Sequence, residues 1–321
     1  MHAGLFRSLY RIRRVEEEVA RVYASDKIKS PVHLSIGQEA VSVGVCDVLR
    51  TDDVVFGTYR GHALYLAKGG DMSAMVAELY GKVTGCTRGK GGSMHLIDTE
   101  CGVMGTSAVV GTTIANAAGY AYALKVRRSD AVVASFFGDG ATEEGVFAET
   151  LNFAVLKRLP VLFVCENNGY AIHTAQAKRQ GLADICARAR AYGMPAERLD
   201  GNDVLTLRAR AEAAVARMRA GAGPQFIEAT TYRWREHVGP GADYHLGYRA
   251  QAECEPWQAN DSVRVIGELL APEVRSMIVA AVEREVAEAF AYAETSPFPH
   301  PSELMTDIFT EDADELAACQ R

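Results

Sequence analysis

Two uninterrupted apolar runs, AVVASFF at 131–137 and VLFVCE at 161–166, constrain this chain more than anything else in it. Neither run alternates polar with apolar residues, so neither can lie in a sheet with one wet face, and each must be covered on both sides. Residues 142–158 between them read as a helix, and Pro160 introduces the second run. A strand, a helical crossover and a second strand make a parallel pair, with both carboxyl ends on one edge of the sheet. The pattern predicts an α/β fold: a doubly wound, mostly parallel sheet covered by helices on both faces.

The rest of the chain fits around that pair. Residues 5–24 carry the period of an amphipathic helix (Leu5, Leu9, Ile12, Val19, Tyr23), GQEA opens a second helix over 38–50, and Asp53–Gly57 reads as a short buried strand. Asp71 can cap a helix ending near Gly81, whereas GCTRGKGG at 85–92 is too rich in glycine for helix or strand. TTIANAAGYAYALKV is helical. Glu197–Leu199, a helix over 203–220 and Gln225–Tyr232 continue the alternation. A charged loop at 233–249, a long helix over 272–293 and the tail SPFPHPSEL follow. The expected organisation is one domain over 1–321, with a helical segment at 1–52, an α/β core at 53–235, and a loop, C-terminal helices and tail at 236–321.

Composition removes several functions. With 34 basic and 41 acidic side chains the net charge is −7, which argues against a broad nucleic-acid or anionic-membrane surface. No apolar run approaches the ~18 residues of a membrane span. The basic start, MHAGLFRSLYRIRR, lacks the apolar stretch of a signal peptide. Seven scattered cysteines without a CxxC point away from structural zinc or a disulfide framework and towards a reducing cytoplasm.

Chemistry concentrates at the two strand ends. Asp139 in GDG lies just past the first and Asn168 in NNGY just past the second, on the edge where doubly wound sheets bind ligands. Two hard oxygen donors among Gly138, Gly140 and Gly169 suit a magnesium ion bridging a diphosphate. Gly140 allows close backbone approach, and the helix that follows offers free amides to the negative charge. GDG alone marks only a turn; GDG with NN at the end of the next strand is a far more specific signal.

GDG followed by NN at this spacing is the thiamine-diphosphate motif, and GDGATEEGVFAETLNFAVLKRLPVLFVCENNGYAI resembles the α subunit of 2-oxo acid dehydrogenase E1 components of the pyruvate, branched-chain and acetoin types. HLSIGQEA at 33–40, GTYRGH at 57–62, GKGGSMH at 89–95, TSAVVG at 106–111 and TYRWREH at 231–237 extend the resemblance over nearly the whole chain. It implies the thiamine-diphosphate-binding fold. It also implies Asp139 and Asn168 as Mg²⁺ ligands through their side chains and Tyr170 through its carbonyl. Gly140 and Ala141 would meet the diphosphate, Tyr59 and Arg60 would bind its phosphates, and Ala108 and Val110 would contact the rings. His33 and His237 match positions that approach the substrate and the lipoyl acceptor, and histidine suits proton transfer near neutral pH. His62 and His95 are weaker candidates, and Lys90 fits a loop-shaping role. Where mammalian relatives carry a phosphorylated serine, this chain has Val238, so phosphorylation there is not expected.

The resemblance further implies oxidative decarboxylation of a 2-oxo acid, or turnover of acetoin, with acyl transfer to a lipoyl-bearing E2 partner. The glutamate that activates the cofactor comes from a separate E1 β subunit in such enzymes, so an α₂β₂ heterotetramer is expected. Gly111, Ala115, Gly119 and Ala123 recur every four residues on one helix face, as close-packed helix pairs require; the α/α′ contact and packing on the chain's own sheet are the two readings. Loops 173–181 and 233–249 are expected to order on cofactor binding. A split-subunit decarboxylase or carboligase without a lipoyl partner, and a non-catalytic cofactor-binding subunit, are the rival functions; the presence of both His33 and His237 speaks against the second.

Overall fold

A computed structural model describes residues 1–306; the tail at 307–321, Cys319 included, lies outside the described residues. Eight strands form: β1 (Val54–Thr58), β2 (Val103–Ser107), β3 (Val133–Gly138), β4 (Val161–Asn167), β5 (Tyr170–Ala171), β6 (Thr174–Ala175), β7 (Ala196–Asp200) and β8 (Gln225–Thr230). Six of them make a sheet in the order β2-β1-β3-β4-β8-β7, parallel throughout, while β5 and β6 form a small antiparallel hairpin. The doubly wound parallel sheet read from the sequence is therefore present.

Side-chain alternation splits the core in two. Phe137, Phe163, Cys165 and Phe226 point to a face covered by α5 (Thr112–Val126), α6 (Gly145–Lys157) and α7 (Ile185–Ala191). There the rings of Phe137, Phe147, Phe163 and Phe226 meet at tilted or edge-on angles 5.8–6.4 Å apart, the geometry aromatic quadrupoles prefer. Phe136, Leu162, Val164 and Ile227 point to the opposite face. That side is packed by α1 (His2–Tyr23), α2 (Glu39–Cys46), α3 (His62–Ala67), α4 (Met72–Leu79) and α8 (Val204–Arg219). After α9 (Gln251–Ala259), α10 (Ser262–Glu268) and α11 (Pro272–Thr295) complete it.

Aspartates start four of these helices: Asp71, Asp184, Asp203 and Asp261 accept from the amides of Ala74, Ala187, Thr206 and Val263 at 2.9–3.1 Å.

Buried charge fixes the segments that lead to the strand ends. On α1, Arg13 bonds Glu39 and Asp261 and lies 4.3 Å from the centre of the Trp234 ring. Glu16, fully buried, accepts from the Ser35 amide at 2.9 Å and meets His62 Nδ1 at 3.1 Å, while His62 Nε2 meets Ser93 Oγ at 2.9 Å. His62 is thus a packed structural group. The 85–92 stretch is a loop as expected, and its organiser is Glu78: its carboxylate, fully buried, accepts from the amides of Thr87, Gly89, Gly91 and Gly92 at 2.8–2.9 Å.

Several boundaries differ from the sequence reading. The helix expected over 142–158 begins as a separate 3₁₀ turn, Asp139–Glu143, with α6 starting at Gly145, so the turn and not the helix terminus faces the strand ends. α2 stops at Cys46, short of residue 50, where Asp53 instead accepts from the Arg50 amide. β2, α3, α7, α9, α10 and the β5–β6 hairpin were not read, being short or only partly buried. On α5 the buried positions are Thr113, Ile114, Ala117, Ala118 and Ala121; of the small-residue face Gly119 and Ala123 are exposed, Ala115 is half-buried and Gly111 is buried, so its C-terminal half is clear of the chain's own core.

Replacing Glu78 by Gln puts an NH₂ group among four donor amides. Leaving buried donors unmatched should cost about 3 kcal/mol, read as a lower urea midpoint with an unchanged slope.

Candidate active site

The register of β3 and β4 ends with Gly138 beside Glu166, so the residues that follow emerge side by side at the carboxyl edge. A cleft of about 260 Å³ opens there. Asp139, Gly140, Ala141, Asn168, Tyr59, Arg60, Val110, Tyr170 and His237 all line it. His33 lies directly behind, in ring contact with Tyr59 and His237. Ala108 belongs to the same turn as Val110 but is not among the lining residues; Ser107, Val109 and Gly111 are. His95 and Lys90 are likewise not among them.

Strand alternation decides which asparagine faces the cleft. Asn167 turns away, donating to Glu228 Oε1 at 2.9 Å and to Gln176 Oε1 at 3.2 Å. Asn168 faces the cleft; its Nδ2 donates to Gln38 Oε1 at 3.0 Å and its Oδ1 accepts from the Tyr170 amide at 3.1 Å. Asp139 is 1% exposed, and its Oδ2 pairs with Arg179, which also pairs with Glu143. Burial pushes the Asp139 carboxyl above the ordinary range, and Arg179 pulls against that. Gly140 is required because a Cβ there would stand 2.8 Å from the Cβ of Ala171, where the β5–β6 hairpin lies on the turn.

The histidines come together through backbone pairing of two distant segments. Trp234 N donates to Ile36 O at 3.1 Å and Gly239 N to Val32 O at 2.8 Å, with a parallel bridge between His33 and Gly239. Gly37, at φ +93°, admits this approach, since a Cβ would lie 2.3 Å from the Trp234 ring. The His33 and His237 rings sit 5.1 Å apart, and the Tyr59 ring is 4.5 and 5.6 Å from them. Burial, then Arg60, draws both imidazoles down to about 3, so both are neutral at pH 7. Arg60 donates to Leu34 O at 2.6 Å and His237 O at 3.2 Å and has no carboxylate partner among the described residues.

Three groups escaped the sequence reading. Glu166 lines the cleft without a hydrogen bond, and desolvation pushes it up to about 7; a charge closing an apolar run was its only signal. Gln38 and Arg179 touch Asn168 and Asp139 from remote segments, which no local pattern announces. The loop at 233–249 is also tied down, by Asp243 bonding Arg249 at 2.7 Å and by Arg249 donating to the carbonyls of Arg233 and Arg235 at 2.8 Å.

A doubly wound sheet with an acid, an amide and two neutral imidazoles at its carboxyl edge defines an α/β protein whose candidate site lies where such sheets bind ligands. The sequence pattern of the dehydrogenase E1 component family matches residues 7–302, and the chain belongs to that family. It is similar to the acetoin:2,6-dichlorophenolindophenol oxidoreductase α subunit of Bacillus subtilis, 38% identical over 95% of this chain and 92% of the relative. It is equally similar to the pyruvate dehydrogenase E1 component α subunit of Porphyra purpurea, 38% identical over 94% of this chain and 90% of the relative. The corresponding α subunit of Zymomonas mobilis is 37% identical over 94% of this chain and 87% of its own length.

Two outcomes follow from the geometry. Between pH 6.5 and about 3 the unfolded chain binds protons at His33 and His237 that the folded chain does not, so stability falls as pH drops through that window. His33→Asn and His237→Asn should each flatten the dependence of the urea midpoint on pH between 6.5 and 4.5. In limited trypsinolysis without cofactor, cleavage after the exposed Lys178 should precede cleavage in 233–249, where Arg233 and Arg249 are buried.

Proposed function

We propose that this chain is the α subunit of a thiamine-diphosphate- and Mg²⁺-dependent 2-oxo acid (pyruvate-like) or acetoin dehydrogenase E1, working as one cofactor-binding unit. The carrying observation is that Asp139 and Asn168 meet at one cleft beside the paired imidazoles. The donor set fits the group. The cleft is lined by the carboxylates of Asp139, Glu143, Glu144 and Glu166 with the guanidinium of Arg60, and Arg179 outside the lining pairs with Asp139 and Glu143, so the acids remain in excess. A bare diphosphate would be repelled, and a diphosphate carrying a small hard cation would not.

Asp139 and Asn168 would hold the cation through side-chain oxygens and Tyr170 through its carbonyl. The amides of Gly140 and Ala141, with Tyr59 and Arg60, would take the phosphates, and Ala108 and Val110 would support the rings. The cofactor, when bound, supplies the electron sink for breaking the bond next to the carbonyl. His33 and His237, neutral at pH 7, would hydrogen-bond the reacting groups, and a bound anion beside them would raise their low basicity towards the range that proton transfer needs. Their Tyr59 neighbour and the backbone pairing behind them keep water from that side.

Val109 and Val110 stand exposed at the mouth of the cleft, and Tyr122, Val126 and Phe153 form an apolar exterior on α5 and α6. Such surfaces support assembly with a β subunit in an α₂β₂ heterotetramer, with α/α′ contact across the small-residue face of α5. An E2 carrying a lipoyl group is the proposed acceptor. No helix among the described residues is long and apolar enough to cross a membrane. The six cysteines among the described residues are free thiols, which supports a reducing compartment that we take to be the cytoplasm.

Ferricyanide reduction by the chain co-purified with its β subunit, over a panel of 2-oxo acids and acetoin, tests this reading. Turnover on one substrate, requiring thiamine diphosphate and Mg²⁺ and abolished in Asp139→Ala, is expected. Cofactor binding without turnover on any of them would overturn the dehydrogenase assignment.

A further inference from the structure

The two side chains proposed to hold the cation are each held by a residue from elsewhere in the chain, Asp139 by Arg179 from outside the cleft lining and Asn168 by Gln38 from within it. Arg179, on the 3₁₀ turn Gln176–Lys178 and its cap, pairs with Asp139 Oδ2 and Glu143 Oε1, while its Nε donates to Thr174 O at 2.9 Å. Next to it Gln180 Nε2 donates to the Asp139 carbonyl at 3.2 Å and to Glu143 Oε1 at 2.8 Å. Asp139 Oδ1 is left without a hydrogen bond to another residue, and Asp139 lines the cleft although Arg179 does not. On the other side Gln38, 2% exposed, accepts the Asn168 amide group at 3.0 Å. An asparagine has two nearly isosteric ends, and an acceptor on its Nδ2 decides which end faces the ligand. The Oδ1 that remains accepts one amide, from Tyr170, and keeps a lone pair.

We propose that Arg179 and Gln38 are positioning residues for the divalent cation: Arg179 presents Asp139 Oδ1 to the cleft, and Gln38 presents Asn168 Oδ1. This rests on the functional reading above. Both contacts follow the logic of outer groups that orient metal ligands, whose loss typically weakens metal affinity about 10–100-fold. Arg179 and Gln38 reach the site from opposite directions, one from the 174–180 segment and one from the start of α2. The cation site is therefore assembled with two parts of the chain beyond its own ligands' strands.

Mn²⁺ titration of the full chain with its β subunit and saturating thiamine diphosphate, followed by the loss of the free-ion electron-resonance signal, tests the proposal. Arg179→Met and Gln38→Met should weaken Mn²⁺ binding by about 10–100-fold. Arg179→Lys retains one cation–carboxylate pair, and Gln38→Glu retains the acceptor, so both should recover most of the affinity. Met variants that bind like the wild type, or Lys and Glu variants that lose as much as the Met ones, overturn the proposal. Should Arg179→Met fail to fold, the Gln38 pair decides alone. A wild-type complex that binds no Mn²⁺ with the cofactor present overturns the functional reading itself, a result distinct from any difference among variants.

Discussion

The parallel pairing of β3 with β4 is the constraint on which the rest depends. Six consecutive residue pairs, Val133–Val161 through Gly138–Glu166, run in register. Both strands end at the same level, so an acid and an amide emerge at neighbouring points of one edge. Shifting either strand by one residue would invert its faces, sending Phe163 and Cys165 into the layer of Leu162 and Val164. The aromatic cluster of Phe137, Phe147, Phe163 and Phe226 opposes that slip, since each ring is fully or almost fully buried. Core packing thus sets the spacing of Asp139 and Asn168.

Around that edge, buried charge does what packing cannot, which is to aim loops. The 32–38 segment has no regular structure, yet Glu16, Glu39 and the pairing with 234–239 hold it at both ends. His33 reaches the site on it, and His237 reaches the site on the facing segment. The two carboxylate anchors are occupied differently: both Glu39 oxygens are taken, by Arg13 and the Gly37 amide, whereas Glu16 accepts from the Ser35 amide and meets His62 through Oε1 alone. Removing one partner leaves a desolvated charge, which makes the arrangement specific as well as stable.

Much of the fold was legible because it is repetitive. Continuous apolar runs mark buried strands, and α5 was read over 112–126 as it occurs. What failed has physical reasons. β2, VMGTS, is short and only partly buried, so it lacks the apolar run that marked β3 and β4. The 3₁₀ turn Asp139–Glu143 overlaps the start of the helix expected over 142–158, and it is contacted by remote residues, Gln180 donating to Thr142 Oγ1 at 3.2 Å among them, that no local pattern reveals. At the site, the strand-end residues were legible from motif spacing, whereas Arg179 and Gln38 lie 40 and 130 residues from the groups they touch. Only tertiary structure brings such pairs together, and a single sequence carries no trace of them.

The charge around the cleft leads to a final step. Four carboxylates and one guanidinium line the cleft, and Arg179 pairs with two of the acids from outside the lining. The imidazoles of His237 at the lining and His33 behind it are kept neutral by burial and by Arg60. If the imidazoles were charged they would attract a diphosphate without a cation and compete with the metal ligands for its oxygens. Their neutrality removes that alternative. On the proposed reading, selection then falls to the acids, which favour phosphates that arrive with a cation attached. Arg60, hydrogen-bonded to two carbonyls and to no acid, keeps its charge for whatever anion arrives. On that same reading, the neutral imidazoles and the acids act as one electrostatic filter, each disfavouring a diphosphate that arrives without its cation.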